Sequence, residues 1–198
     1  MATHVEADHH GPPIANQSSR VDSRVLGMFL FIASEIMLFG AFFTAYFFVR
    51  VVNGIDWPPE GLHLPVFVAG VNTCILVTSS FTVHWALQSI KRDNRAGMQA
   101  GLVLTLALGL VFLLTQAREY SRVGFAPSDG AFGTIFYGLT GLHGAHVFIG
   151  LMLLTFATIR AFRGHYSAAH HHGVEIPGIY WHFVDVMWIV VYTTIYIL

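Results

Sequence analysis

Five stretches of this chain are each long and apolar enough to cross a bilayer, and that pattern restricts the fold more than any other feature. They cover residues 25–49, 64–87, 97–117, 131–159 and 178–198. Crossing the hydrocarbon as a helix takes about 20 apolar residues. Together the five stretches contain only two formal charges, Glu35 and Asp185. Composition agrees: charged residues make up 11% of the chain and apolar ones 55%, whereas a soluble domain carries roughly 25% charged residues. The expectation is an all-α, polytopic membrane protein with five transmembrane helices over residues 25–198, preceded by a flexible tail over residues 1–24. That tail is polar, contains Gly11-Pro12-Pro13 and has no apolar core to offset the entropy of ordering. It does not read as a cleavable secretory signal, because the first apolar run begins late and is long.

The breaks between the stretches are rich in turn formers. They are Asn53-Gly54 with Trp57-Pro58-Pro59, then Lys91-Arg92-Asp93-Asn94-Arg95, then residues 124–130, then residues 160–177. Ser128-Asp129 before Gly130 offers an N-cap for the fourth helix. With five spans, the tail and the 91–95 and 160–177 breaks share one side and hold Arg20, Arg24, Lys91, Arg92, Arg95, Arg160 and Arg163. The other side holds Arg50, Arg118 and Arg122. The excess places the N-terminus in the cytoplasm. Trp57 and Tyr120 on the outer side, with Trp85 and Tyr166 on the inner, suit interfacial aromatic belts. No internal repeat or pair of matched broken helices of the transporter kind is evident.

An ionisable group in the hydrocarbon costs at least ~2.5 kcal/mol when unpaired, so each one here needs an account. Glu35 follows Arg24 by eleven residues, which is about 16 Å of helix and close to the bilayer midplane. His143 and His146 share one face of the fourth helix, and His182 and Asp185 share one face of the fifth. One reading is a proton-active cluster of Glu35, His143, His146, His182 and Asp185, in which the acids exchange protons through histidine. The other is interhelical hydrogen bonding that fixes helix order.

The histidines are expected to form no metal site. His170-His171-His172 lie in a loop, far in depth from His143 and His146, so ligand distances of about 2 Å are out of reach. A haem held by two histidines, His146 and a second on another helix, is a weaker alternative. Cys74, the one cysteine, excludes a disulfide within the chain and reads as a small buried hydrophobe. A net charge of −1 offers no basic face for nucleic acid. Gly138, Gly141, Gly144 and Gly150 on the fourth helix, and Gly97 with Gly101 at the start of the third, suit close helix contacts. The phenylalanines between Phe29 and Phe48 cover most of the first helix, so some must face lipid or another protein.

Three segments are more specific. Phe31-Ile32-Ala33-Ser34-Glu35-Ile36-Met37-Leu38-Phe39 comes first, followed by Ser128-Asp129-Gly130 with Gly141-Leu142-His143-Gly144-Ala145-His146-Val147. Tyr180-Trp181-His182-Phe183-Val184-Asp185-Val186-Met187-Trp188 comes last. In this order and spacing, over about residues 24–198, they resemble subunit III of the haem-copper terminal oxidases in its five-helix bacterial form. The resemblance implies an accessory subunit that binds no haem or copper of its own, those cofactors lying in partner subunits. It implies direct contact with oxidase subunit I, an assembly containing subunit II and other respiratory subunits, and a place in a bacterial plasma membrane. It also implies that Glu35 belongs to a polar site supporting proton uptake by subunit I, and that structural phospholipid is bound. Arg160 and Arg163 match the family's lipid-headgroup pair, and their other reading is ordinary positive-inside charge. No catalytic residue is expected.

Longer family members have seven helices, and this chain starts at what corresponds to the third. His171-His172-Gly173-Val174-Glu175 before Tyr180-Trp181-His182 is closer to the cytochrome c branch than to the quinol branch. The rival readings are the matching subunit of a quinol oxidase or of a nitric oxide reductase and, from another class, an independent proton-linked transporter.

Overall fold

A computed structural model describes residues 22–53 and 64–198. Among these residues five helices are long and apolar enough to cross a membrane. They are α1 (Ser23–Asn53), α2 (Val66–Lys91), α3 (Arg95–Tyr120), α4 (Gly130–Phe162) and α5 (His172–Tyr192), the last ending in a π-helical turn, Thr193–Ile197. The tail over residues 1–21, with Arg20, and the break that includes Gly54, Trp57, Pro58 and Pro59 lie outside the described residues.

Each helix runs past its apolar stretch at one end or both, because apolarity marks the hydrocarbon slab and not the helix. The fifth differs most, starting at His172 instead of residue 178 and carrying Pro177 inside. Proline has no N–H to give the carbonyl four residues back and crowds it. Here that carbonyl belongs to Gly173, which has no side chain, and the Tyr166 hydroxyl donates to it at 3.4 Å. A side chain on Gly173 would meet the Tyr166 ring at 2.6 Å. Tyr166 is therefore buried and serves as a brace, not as the lipid-facing belt residue expected.

The expected N-cap of the fourth helix also changes. Asp129 stands at the N-cap of α4 without capping it; its Oδ2 instead accepts from the Ala126 N–H at 2.7 Å and closes the preceding turn. Asn94, at the start of α3, does cap, accepting from the Gly97 N–H at 2.9 Å.

The helices alternate in direction. At one end the Asp93 carboxylate accepts from the Ala168 N–H, joining the α2–α3 and α4–α5 connections, and His172 Nε2 lies 3.7 Å from Asp22 Oδ2 at the start of α1. At the other end Arg50 donates to the Leu198 carbonyl and the Tyr46 hydroxyl to that of Thr194. The basic residues Arg24, Lys91, Arg92, Arg95, Arg160 and Arg163 consequently share the first end.

Helices α2 to α5 form a ring, and α1 leans on α4 and α5 from outside. Lipid is as apolar as leucine, so close backbone approach and interhelical hydrogen bonds decide the packing. On α3, a Cβ at Gly101 would meet Ala86 Cβ at 2.8 Å and the Thr82 carbonyl at 2.9 Å, so α2 and α3 touch there through their backbones, as the small-residue pair predicts. The Trp181 ring is held between Gly109 of α3 and Gly150 of α4, where added Cβ atoms would lie 2.6 and 2.8 Å from it. Its indole N–H donates to Ser79 Oγ of α2 at 2.9 Å. One side chain of α5 thus joins the other three helices of the ring. Gly138 meets Phe42, whereas Gly141 and Gly144 face open space.

Cys74 is exposed, not buried. It sits on the outward stripe of α2 with Phe67, Val71, Phe81 and Trp85. In hydrocarbon an outward thiol meets no solvent mismatch, so burial does not follow from its apolarity.

Candidate functional site

The five candidate residues, Glu35, His143, His146, His182 and Asp185, occupy three places. The first lies between α1 and α4, where Glu35 Oε2 stands 2.8 Å from His146 Nε2, with the two side chains only 16% and 8% exposed. His146 Nδ1 lies 2.8 Å from the Leu142 carbonyl one turn back. A carbonyl only accepts, so Nδ1 carries a hydrogen. Two states satisfy Nε2: neutral imidazole accepting from a protonated Glu35, or imidazolium donating to a carboxylate. In either state the pair holds one shared proton. Phe39, Tyr180 and Phe183 close the surroundings: the Phe39 ring centroid is 4.9 Å and that of Phe183 6.4 Å from the His146 ring, and the Tyr180 hydroxyl donates to the His146 carbonyl at 3.4 Å.

The second place is the α2–α5 seam. The Asp185 side chain is buried, and its Oδ2 is hydrogen-bonded to Ser80 Oγ. Ser80 Oγ also lies 2.8 Å from His182 Nδ1. The His182 ring faces the His84 ring at a centroid distance of 6.4 Å, and His84 Nε2 is 3.5 Å from Gln88 Nε2. Phe183 points about 200° around α5 from Asp185, toward Phe39 and His146. The Glu35 pair and the Asp185 group thus lie on different sides of α5.

The third place holds His143 alone. It is fully buried, its ring packed 4.8 Å from Trp188 and 5.8 Å from Phe112, and neither ring nitrogen has a hydrogen-bond partner.

Two of the three consecutive histidines, His171 and His172, meet Glu175 at the basic end. His172 Nδ1 lies 3.0 Å and His171 Nε2 3.9 Å from Glu175 Oε2, and Lys91 Nζ lies 3.8 Å from Glu175 Oε1. Among the described residues no three His, Cys, Asp or Glu side chains converge to hold a metal ion.

At the same end a groove opens between the starts of α1 and α5 and the end of α4. Its polar mouth is lined by Arg24, Arg160, His165, Tyr166, His170 and His172. It continues along Leu153, Phe156, Ala157, Ile176 and Pro177. The Arg160 guanidinium lies 5.8 Å from the Tyr166 ring and 6.0 Å from the Phe156 ring, which fixes its direction. Burial pushes the Tyr166 phenol above its ordinary range, and the Arg160 charge offsets part of that, so the hydroxyl keeps its hydrogen for Gly173. Arg163, at the end of α4, is exposed and is not among the lining residues.

Ser80 and His84 are the site residues the sequence reading missed. Only their spacing on α2 opposite His182 and Asp185 of α5 hinted at them, and that spacing has meaning only once the two helices are known to pair. Arg24 and His165 of the groove were overlooked for the same reason.

Comparison with known proteins places this arrangement in context. The sequence profile of the family described as cytochrome c oxidase subunit III matches residues 9–198. A protein of Thermostichus vulcanus named cytochrome c oxidase subunit 3 is 45% identical over 89% of this chain and 88% of its own length. Proteins of the same name from Oryctolagus cuniculus and from Synechocystis are 40% and 41% identical, over 94% and 96% of this chain and 72% and 78% of theirs.

Proposed function

Because the chain belongs to the family of cytochrome c oxidase subunit III, we propose that it is the accessory subunit of an aerobic haem-copper oxidase that takes electrons from cytochrome c. In that assembly it carries no redox centre and supports the catalytic subunit through scaffold, bound lipid and a shared-proton site. The observation that carries this reading is the family match over residues 9–198. The protein is a multi-pass membrane protein that works within the oxidase complex. We place it in a bacterial plasma membrane, with the N-terminus and the basic end of the bundle in the cytoplasm, in contact with subunit I and assembled with subunit II. Haem and copper reside in those partners. Both ring nitrogens of His146 are already engaged, which supports a hydrogen-bonding role for it over ligation.

The groove suits a phospholipid. Arg24, Arg160 and His172 at the mouth match a phosphate, and Leu153, Phe156, Ile176 and Pro177 match an acyl chain. The lipid-headgroup role is thereby assigned to Arg160 with Arg24, while Arg163 contributes positive-inside charge.

The Glu35–His146 pair supports a role in the proton environment because it holds one proton without needing bulk water, close to the middle of a span.

The test is purification of the intact complex through a tag on this chain. Haem absorbance and oxygen consumption should co-purify, and a preparation with neither overturns the reading. In that complex Glu35→Gln should assemble and lose activity faster during turnover. Unchanged inactivation and unchanged proton uptake would make Glu35 a packing residue only. Arg24→Ala with Arg160→Ala should lower the phospholipid retained per complex, and equal lipid content would remove the groove's assignment.

A further inference from the structure

The α2–α5 seam carries a second proton-holding site, separate from Glu35 and His146. Hydrogen-bond accounting leads to it. Ser80 Oγ has one hydrogen and two neighbours, Asp185 Oδ2 and His182 Nδ1, so one of those neighbours must supply a second hydrogen. Two patterns are self-consistent. In one, the Asp185 carboxyl donates to Ser80 and Ser80 donates to His182 Nδ1. In the other, His182 Nδ1–H donates to Ser80 and Ser80 donates to the Asp185 carboxylate. They interconvert when each of two hydrogens crosses one hydrogen bond, so the serine gains one as it loses one and one proton passes between acid and imidazole. No heavy atom has to move.

The two ends of this relay differ in access. Asp185 is 3% exposed and its Oδ1 has no partner among the described residues, so among them the hydrogen-bonded path to the acid runs through Ser80. His182 is half-buried, and its ring faces His84, which is exposed on α2. The centroid separation of 6.4 Å suits a bridging water between the two rings. The charged groups on the same seam are Lys91 and Glu175 at its basic end, ten residues or about 15 Å along α5 from Asp185. On the other side of α5, beside Phe183 and Tyr180, lies His146 of α4 with Glu35 of α1 on its Nε2, and His143 is enclosed by Phe112 and Trp188.

We infer that Asp185, Ser80 and His182 form a dead-end proton store loaded through His84. A proton reaching His84 passes to His182 Nε2, the Nδ1 hydrogen moves to Ser80 Oγ, and the Ser80 hydrogen moves to Asp185 Oδ2. Release is the reverse sequence. The inference rests on the seam's geometry and not on the oxidase reading, and the two fail in different measurements.

The experiment is infrared difference titration of the full chain, purified in its complex, with isotope-labelled histidine. A protonated-carboxyl band should vanish in Asp185→Asn and change over the same pH range as an imidazole band that vanishes in His182→Gln. Ser80→Ala should separate the two transitions by about one pH unit or more, a tenfold change in proton affinity, and Ser80→Thr should bring them together again. His84→Phe should slow deuterium exchange of the carboxyl at least tenfold. The store is refuted if Asp185→Asn removes no carboxyl band, or if Ser80→Ala leaves the two transitions coincident. Haem absorbance of the same preparations reports separately on the oxidase reading.

Discussion

Glycine positions separate residues that shape the bundle from residues that merely lie on it. At Gly109 a Cβ would stand 2.6 Å from Trp181 and 2.8 Å from Leu151. Gly109→Ala is expected to destabilise by about 1–3 kcal/mol through overpacking. At Gly144 nothing lies within 4 Å, and replacing a mid-helix glycine by alanine there should gain roughly 0.5–1 kcal/mol. Denaturant titration of the chain in mixed micelles checks both signs. Glu35 poses a subtler question, because the carboxyl and an amide can both donate to His146 Nε2. Glu35→Gln should therefore keep most of the stability, whereas Glu35→Ala should lose about 0.6–1.7 kcal/mol, the range measured for hydrogen bonds between membrane helices. Equal losses for the two variants would show that the pair is not hydrogen-bonded.

Among the helices, α1 is the least enclosed. Met37, Phe48 and Val51 are more than two-thirds exposed or nearly so, and its covered anchors are Phe39 and Tyr46. Its polar ties include Glu35 to His146, Tyr46 to the Thr194 carbonyl, and Arg50 to the Leu198 carbonyl. At about 0.6–1.7 kcal/mol each, they contribute a few kcal/mol between them, so losing two should free the helix. Tyr46→Phe combined with Glu35→Ala is expected to raise amide exchange along α1 well above that of α2 to α5; uniform exchange across the bundle would refute the view that α1 is separately attached. The start of α5 depends on a brace of another kind. Tyr166→Ala should accelerate exchange over residues 172–176 and loosen Arg160, which loses one of its two aromatic neighbours.

For the molecule as a whole, the proposed orientation rests on the alternation of helix direction and the clustering of basic residues at one end. Cysteines introduced at Ser167 and Ser121, in a Cys74→Ala background, should react with an impermeant reagent from the cytoplasmic and the outer side respectively. The reversed pattern would overturn the orientation proposed from charge. The same result assigns a side of the membrane to the lipid groove and to the Lys91–Glu175 end of the α2–α5 seam.

The number of spans, their order and the two intramembrane acids were legible in the sequence, because crossing hydrocarbon demands about 20 consecutive apolar residues and tolerates few charges. The three ordered segments around Glu35, His146 and Asp185 made the family resemblance legible too. Which side chain met which was not. These helices are apolar around nearly their whole circumference, and in lipid an outward Phe67 or Cys74 meets no penalty, so the hydrophobic stripe that orients a helix in water is missing. Glu35 and Asp185 lie at comparable depth, yet depth carries no azimuth. Tertiary packing alone, through Gly101 against Ala86 and Trp181 between Gly109 and Gly150, rotated α5 so that His182 and Asp185 face Ser80 while Phe183 faces His146.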